Sequence, residues 1–314
     1  MPTLAATPEQ LVAEMLDSGV KLPPLPSIGA TLLGIVRQPI DTIDTRKLTS
    51  LVESDPSLSA RLLRMANSPY YGASGTVTSL RQAVVMIGLE ETVQTLYYYV
   101  LLRAMPQFPA IGGFSCDAHW THSWACATAA RMLGRPQLFV RSMPGELYLA
   151  GLLHGIGRLA LALHRTEDFR RCVALATEKA QPLHEAEREA LGFDHAALGA
   201  RLLDAWNLPV SIQMAVAHHL APDEAPEAHR EMASLIQLAY ALANQAGFGA
   251  GVLAIQIDPA STVIARDGQS AFSKPDILES LTRDIATELN KKSEAALAAP
   301  DETGHEQATD APPI

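Results

Sequence analysis

Five histidines, His122, His154, His195, His218 and His219, stand in apolar surroundings and are the residues of this 314-residue chain best suited to chemistry. Imidazole is the commonest transition-metal ligand in proteins. Metal-assisted phosphoester hydrolysis needs more than imidazole, however, because carboxylates supply the negative charge and the bridging geometry that hold two cations around a water. The residue after His154 is Gly155, which offers no carboxylate. Histidines alone can hold one zinc ion but not a two-metal centre.

Each histidine also has a plainer reading. His154 lies in a Leu-rich helical run and suits a hydrogen-bonded core histidine. His119 and His122 are three residues apart on one helix face, either as a ligand set or as a partly exposed helix edge. His195 follows Asp194, a good N-cap for the helix 196–206, so that Asp-His pair is read as capping. Asp204, nine residues after His195, falls on the opposite helix face and cannot replace a missing ligand. His218 and His219 point about 100° apart on a helix. They address two parts of one pocket, or one is buried and the other meets solvent near the helix end.

No other catalytic pattern is present. The chain has no serine nucleophile elbow, no phosphate-binding loop and no dinucleotide fingerprint. A net charge of −10 opposes attachment to phosphate backbones, so no nucleic-acid partner is expected. Three cysteines, Cys116, Cys126 and Cys172, form no CxxC pair and suggest neither a disulfide framework nor a zinc ribbon. Residues 1–19 lack the basic start of a secretory signal. The longest apolar run, 147–163, is broken by His154 and Arg158 and falls short of a bilayer span of about 20 residues. A cytoplasmic protein without membrane insertion is expected.

The elements that must position the histidines read as helices throughout. Thr7-Pro8-Glu9-Gln10 is a capping box with proline at the first helical position, and Asp55-Pro56 repeats the device. Ser79 opens a helix that Gly88 ends, turning the chain into a second helix over 89–105. Pro106, Pro109, Gly112 and Gly113 mark a junction before the histidine-bearing half. Asn67-Ser68-Pro69-Tyr70-Tyr71-Gly72 reads as a turn rather than a binding site. Tyr97-Tyr98-Tyr99 points in successive directions, so at least one packs inside while another is free for a partner. Beyond Asn244 a glycine-rich stretch gives way to a helix with Ile277, Leu281, Ile285 and Leu289 on one stripe. Residues 294–314 have the composition of a disordered tail. All-α packing follows, with no long alternating strand pattern before residue 250.

The ordered series Leu22-Pro23-Pro24-Leu25-Pro26, Asp55-Pro56-Ser57-Leu58, Leu62 to Gly72, Ser79 to Ala83, Ile87-Gly88-Leu89, Trp120 to Ser123, the His154 segment, Gly192 to Gly199 and Trp206 to Pro209 resembles the HDOD domain. That domain is a branch of the HD phosphohydrolase superfamily, and the resemblance covers residues 22–245. It implies an HD-like helical bundle at 115–245 packed with an N-terminal helical half at 22–108. A helix within 1–21 would precede this unit, and an irregular extension, 246–293, would follow it. In HD enzymes an aspartate follows the histidine at the position of Gly155, and alignment places a final metal-binding aspartate at Tyr240. With both absent, His122, His154, Gly155, His195, His218, His219 and Tyr240 are expected to form a vestigial or ligand-binding pocket with no metal, no cofactor and no catalysis.

The resemblance further implies a bacterial signalling protein that acts through a protein partner or a small nucleotide ligand. The stripe Ile277, Leu281, Ile285 and Leu289 is the first candidate contact surface, with docking on the chain's own core as the other destination. A hydrolase with rebuilt coordination, or a nucleotide sensor without turnover, are the rival expectations.

Overall fold

A computed structural model of the chain describes residues 7–17, 27–36, 38, 42–72, 76–135, 138, 140–249, 256–268 and 270–297. Leu22 to Pro26, where the family resemblance begins, and the tail beyond residue 297 lie outside these residues. Among the described residues no β-strand forms, and the one isolated bridge pairs Ile111 with Phe114.

The N-terminal half contains α1 (Pro8–Asp17), α2 (Ser27–Val36), α3 (Thr45–Glu53), α4 (Pro56–Ala66), α5 (Leu80–Ile87) and α6 (Leu89–Ala104). The histidine-bearing half contains α7 (Cys116–Leu133), α8 (Pro144–Leu153), α9 (Ile156–His164), α10 (Thr166–Lys179), α11 (Leu183–Leu191), α12 (His195–Ala205), α13 (Val210–His218) and α14 (Glu227–Gln245). The short α15 (Val263–Arg266) and the long α16 (Pro275–Leu297) complete the chain.

Local chemistry sets these boundaries. In the capping box at α1 the Thr7 N–H donates to Gln10 Oε1 at 2.9 Å and the Gln10 N–H to Thr7 Oγ1 at 3.3 Å. Asp55, Ser79, Ser115 and Asp194 each accept backbone N–H groups at the starts of α4, α5, α7 and α12. Gly88 joins α5 to α6 at φ +90°, ψ 147°, a conformation open to glycine but not to residues with a Cβ. At the junction between the halves, Gly112 and Gly113 both have positive φ, and Ile111 and Phe114 exchange backbone hydrogen bonds across them at 2.9 Å. That tight turn drives Phe114 into the core against Phe108, Phe169 and His119, so the proline- and glycine-rich junction is packed.

In the second half α7 packs along α8 and α14, α12 against α9 and α13, and α13 against α14 and α8. The first helix, α1, lies on α12 of the second half. The stretch Pro144–His164 is long and apolar enough to cross a membrane by length and composition, but 89% of that window is buried inside the fold. It is the central helix pair of the bundle.

The C-terminal stripe is buried in the chain's own core. Leu281, Ile285 and Leu289 are buried and Ile277 is half-buried where α16 lies on α14, on α7 and on the 3-10 turn Pro69–Tyr71. Four apolar side chains at helical spacing find enough intramolecular surface there, so they are withdrawn from the partner-binding role considered for them. Tyr70 donates from its hydroxyl to Glu288 Oε1 at 3.2 Å, and Lys292 bridges Glu288 and Glu91. The Asn67–Gly72 motif is thus a turn that also receives α16. Asn67 holds it by accepting from the Val77 N–H at 2.7 Å and donating to the Leu63 and Val77 carbonyls at 2.8 Å. The helix α16 runs to Leu297, four residues into the segment 294–314 expected to be unstructured.

Candidate functional site: a buried histidine cluster

Four of the five histidines converge. His154 is the C-cap of α8, and its ring lies 5.2 Å from the rings of both His122 on α7 and His219 at the end of α13. The ring of His195, the first residue of α12, is 5.9 Å from that of His219. Tyr240 on α14 stands edge-on to His122 at 4.8 Å and to His154 at 5.6 Å. Each of these side chains is at most 1% exposed. His218 remains half-buried, outside the ring contacts seen among the described residues. The adjacent pair therefore divides into one core and one boundary histidine.

The tautomers of His122, His154 and His219 are fixed by their Nδ1 partners. His154 Nδ1 donates to the Gly151 carbonyl at 2.7 Å and His219 Nδ1 to the Val216 carbonyl at 2.8 Å, the same three-residue step back at two helix ends. Each bond satisfies a carbonyl that the ending helix leaves open. His122 Nδ1 donates to the Phe248 carbonyl at 2.7 Å. The His195 backbone N–H donates to Glu187 Oε2 at 2.8 Å, and the His195 Nδ1 shares a hydrogen bond with the same oxygen at 2.6 Å. A carbonyl only accepts, so Nδ1 carries the proton and Nε2 keeps a lone pair. The Nε2 atoms of His154, His195 and His219 have no hydrogen-bond partner although they are buried.

Burial dominates the electrostatics. It holds His122 at about 4 and His219 at about 3, and drives His119, His154 and His195 well below the usual imidazole range. Burial also lifts Glu187 to about 8. The Glu187–His195 contact is accordingly a hydrogen bond between groups that are both pushed toward their uncharged forms. Arg158 on α9 is buried in the same core and adds positive charge that disfavours imidazolium at His119, His122 and His195.

Gly155 does not leave a vacancy. A Cβ at that position would fall 2.9 Å from His119 Cε1. His119 is 2% exposed, with Nε2 3.4 Å from Ser123 Oγ and its ring against Phe114 and Trp120. The pair His119 and His122 is therefore fully internal, which removes the exposed-edge reading. A Cβ at position 155 would meet the His119 imidazole, and positions 155 and 240 hold a glycine and a tyrosine, so neither supplies a carboxylate. The residues present do not fit the carboxylate-bridged metal pair of HD hydrolases.

Three further members of the cluster were not legible as such in the sequence. Glu187 lies eight residues before His195 on a different helix, so no local spacing points to it. Arg158 is visible as a lone charge in an apolar run, and Cys126 as the residue one helical turn after His122. Its Sγ lies 3.5 Å from His122 Nε2.

The sequence matches the HDOD domain family over residues 22–222. This chain belongs to the HDOD family. That match ends before α14, which carries Tyr240, whereas the resemblance in the sequence was drawn to residue 245. A curated protein of Treponema pallidum (strain Nichols) is 24% identical over 233 residues, which are 73% of this chain and 44% of that protein, so the chain spans less than half the length of this relative. An HDOD domain protein of unknown function from Geobacter sulfurreducens superposes with a TM-score of 0.70 at 22% identity, covering 90% of this chain and 97% of that one. A proposed phosphohydrolase from Shewanella amazonensis SB2B gives 0.66 at 22% identity over 92% and 98% of the two chains. A proposed signal transduction protein from Marinobacter aquaeolei VT8 gives 0.67 at 22% identity over 94% and 66%. These likenesses establish a shared all-helical HDOD fold.

Proposed function

We propose that this HDOD protein is a non-catalytic signalling component that acts by binding a partner or a small ligand and turns over no phosphoester. The observation that carries this reading is Gly155 directly after His154, with the His119 ring 2.9 Å from where a Cβ would lie. A hydrolytic metal pair draws on carboxylates for charge and bridging, and position 155 offers none while its nearest neighbour is a side chain that packs against Phe114 and Trp120. The signalling part draws support from family membership and from the description of the Marinobacter aquaeolei relative.

The test is a substrate screen on the purified chain. Zinc, manganese, iron and magnesium are each supplied with phosphodiester and phosphomonoester substrates, and no metal-dependent turnover is expected. Metal-dependent hydrolysis that vanishes in a folded His154→Ala variant would overturn the proposal.

A small ligand is favoured by one further observation. Arg158 buries Nε and a terminal guanidinium nitrogen, Nη2, without an acceptor for either. A buried donor left unpaired costs about 1–3 kcal/mol, so an acceptor supplied by a ligand would be stabilising there. A nucleotide that raises the melting temperature of the wild type but not of Arg158→Met supports this ligand reading, and identical shifts in both chains refute it.

A further inference from the structure

We propose that His122, Cys126 and His154 hold a single zinc-class ion in a buried three-ligand site, with Cys126 as a thiolate ligand and the fourth position left to a non-protein ligand. One donor atom from each of the three lies within 4.8 Å of the others, and all three residues are buried. His122 and Cys126 are one turn apart on α7, a spacing that brings two side chains together on one helix face. The third ligand comes from the end of α8.

The protonation pattern suits a cation and not a hydrogen-bond donor network. Nδ1 of His122 and of His154 are both committed to backbone carbonyls. Ligating imidazoles in metal sites characteristically donate their second nitrogen in this way. Nε2 of His154 is left as a buried lone pair with no partner, and Nε2 of His122 faces only the Cys126 sulfur at 3.5 Å. Zinc bonds of about 2.1 Å to nitrogen and about 2.3 Å to sulfur place the donors of a tetrahedral site about 3.5 Å apart, so the cluster, whose donors lie within 4.8 Å of one another, closes further on binding.

Charge explains why the cysteine matters. With Arg158 buried nearby, an all-imidazole site would leave the ion's two charges uncompensated. On binding, Cys126 gives up its S–H proton to solvent and its sulfur bonds the ion, so that one divalent ion enters, one proton leaves and nothing is oxidised. The site differs from the carboxylate-bridged metal pair of HD hydrolases in ligand set and nuclearity. An ion that binds the folded chain and not the unfolded one stabilises the fold without requiring turnover, so the proposal stands or falls separately from the absence of hydrolysis.

The test uses the full chain stripped of metal with a chelator and titrated with cobalt(II), then with zinc(II). The expected result is one cobalt per chain, a thiolate-to-cobalt charge-transfer band in the near ultraviolet, displacement of that band by zinc, and a raised melting temperature. Cys126→Ser should lose the band, and His154→Gln should weaken uptake at least tenfold, with circular dichroism confirming that each variant is folded. Cys172→Ser, in a buried thiol on α10, should behave as wild type. If one of the two ligand variants does not fold, the wild-type titration and the other variant decide. No cobalt uptake, uptake without the thiolate band, or a band that persists in Cys126→Ser overturns the proposal.

Discussion

A Cβ added to Gly157 would lie 2.0 Å from the carbonyl oxygen of His195, so α9 and α12 cross at a distance only a hydrogen permits. The next nearest atom, Gly199 N, is 2.8 Å away and is also backbone. Neither neighbour can rotate aside. This crossing places His195 at the cluster.

Gly157→Ala is therefore expected to destabilise the protein by at least about 3 kcal/mol, at the upper end for overpacking. Gly199→Ala, whose nearest contacts are 3.3 Å, should cost clearly less. Urea unfolding of the two variants gives the ranking, and equal midpoints would contradict the crossing.

Gly155 and His119 make a second, sign-definite test. Gly155→Ala places a methyl against His119 Cε1 and should cost about 1–3 kcal/mol. In a His119→Ala background the space is open and φ is −97°, so the same change should be neutral or stabilising by about 0.5 kcal/mol. A double-mutant cycle measures the coupling. Additive effects would show that His119 does not fill that volume.

Stability of the metal-free protein should pass through a maximum near neutrality. His122 at about 4 and His219 at about 3 take up protons in the unfolded chain before they do in the folded one. Below an unfolded imidazole value of about 6.5, acidification therefore destabilises by about 1.4 kcal/mol per pH unit for each net proton. Glu187 has the opposite sign. Its folded value of about 8 exceeds its unfolded one, so stability falls as pH rises from about 4.5 to about 8. Between pH 6.5 and 8 the Glu187 effect is left alone, and Glu187→Gln, which keeps an acceptor for His195, should flatten the decline there. Chemical denaturation at half-unit pH steps checks both limbs.

Charging the α16 stripe should break the fold. Leu281→Glu and Ile285→Glu each remove a buried apolar side chain worth about 1.5–3 kcal/mol and bury a carboxylate in its place. The double variant should lose its cooperative thermal transition. Retention of the wild-type melting temperature would mean that the helix is not docked on α14 and α7.

The helices were legible in the sequence because their signals are local. Thr7 to Gln10, Asp55-Pro56, Ser79, Gly88 and Asp194 act through hydrogen bonds and dihedral preferences within a few residues, and each does in the structure what its position implies. The histidines His122, His154, His195 and His219 were also legible as one set, through their resemblance to a family pattern. What they do to one another was not. That His119 lies against Gly155, that Glu187 hydrogen-bonds His195, and that Arg158 and Cys126 join the same core are contacts between helices far apart in sequence. The stripe on α16 shows the same limit from the other side: period 3.6 requires Leu281, Ile285 and Leu289 to be buried, but only the packing of α14, α7 and the Pro69–Tyr71 turn determines against what. Hydrogen bonds along one helix are written in neighbouring residues, whereas volume exclusion and desolvation depend on which helices meet, and that is decided by the tertiary structure.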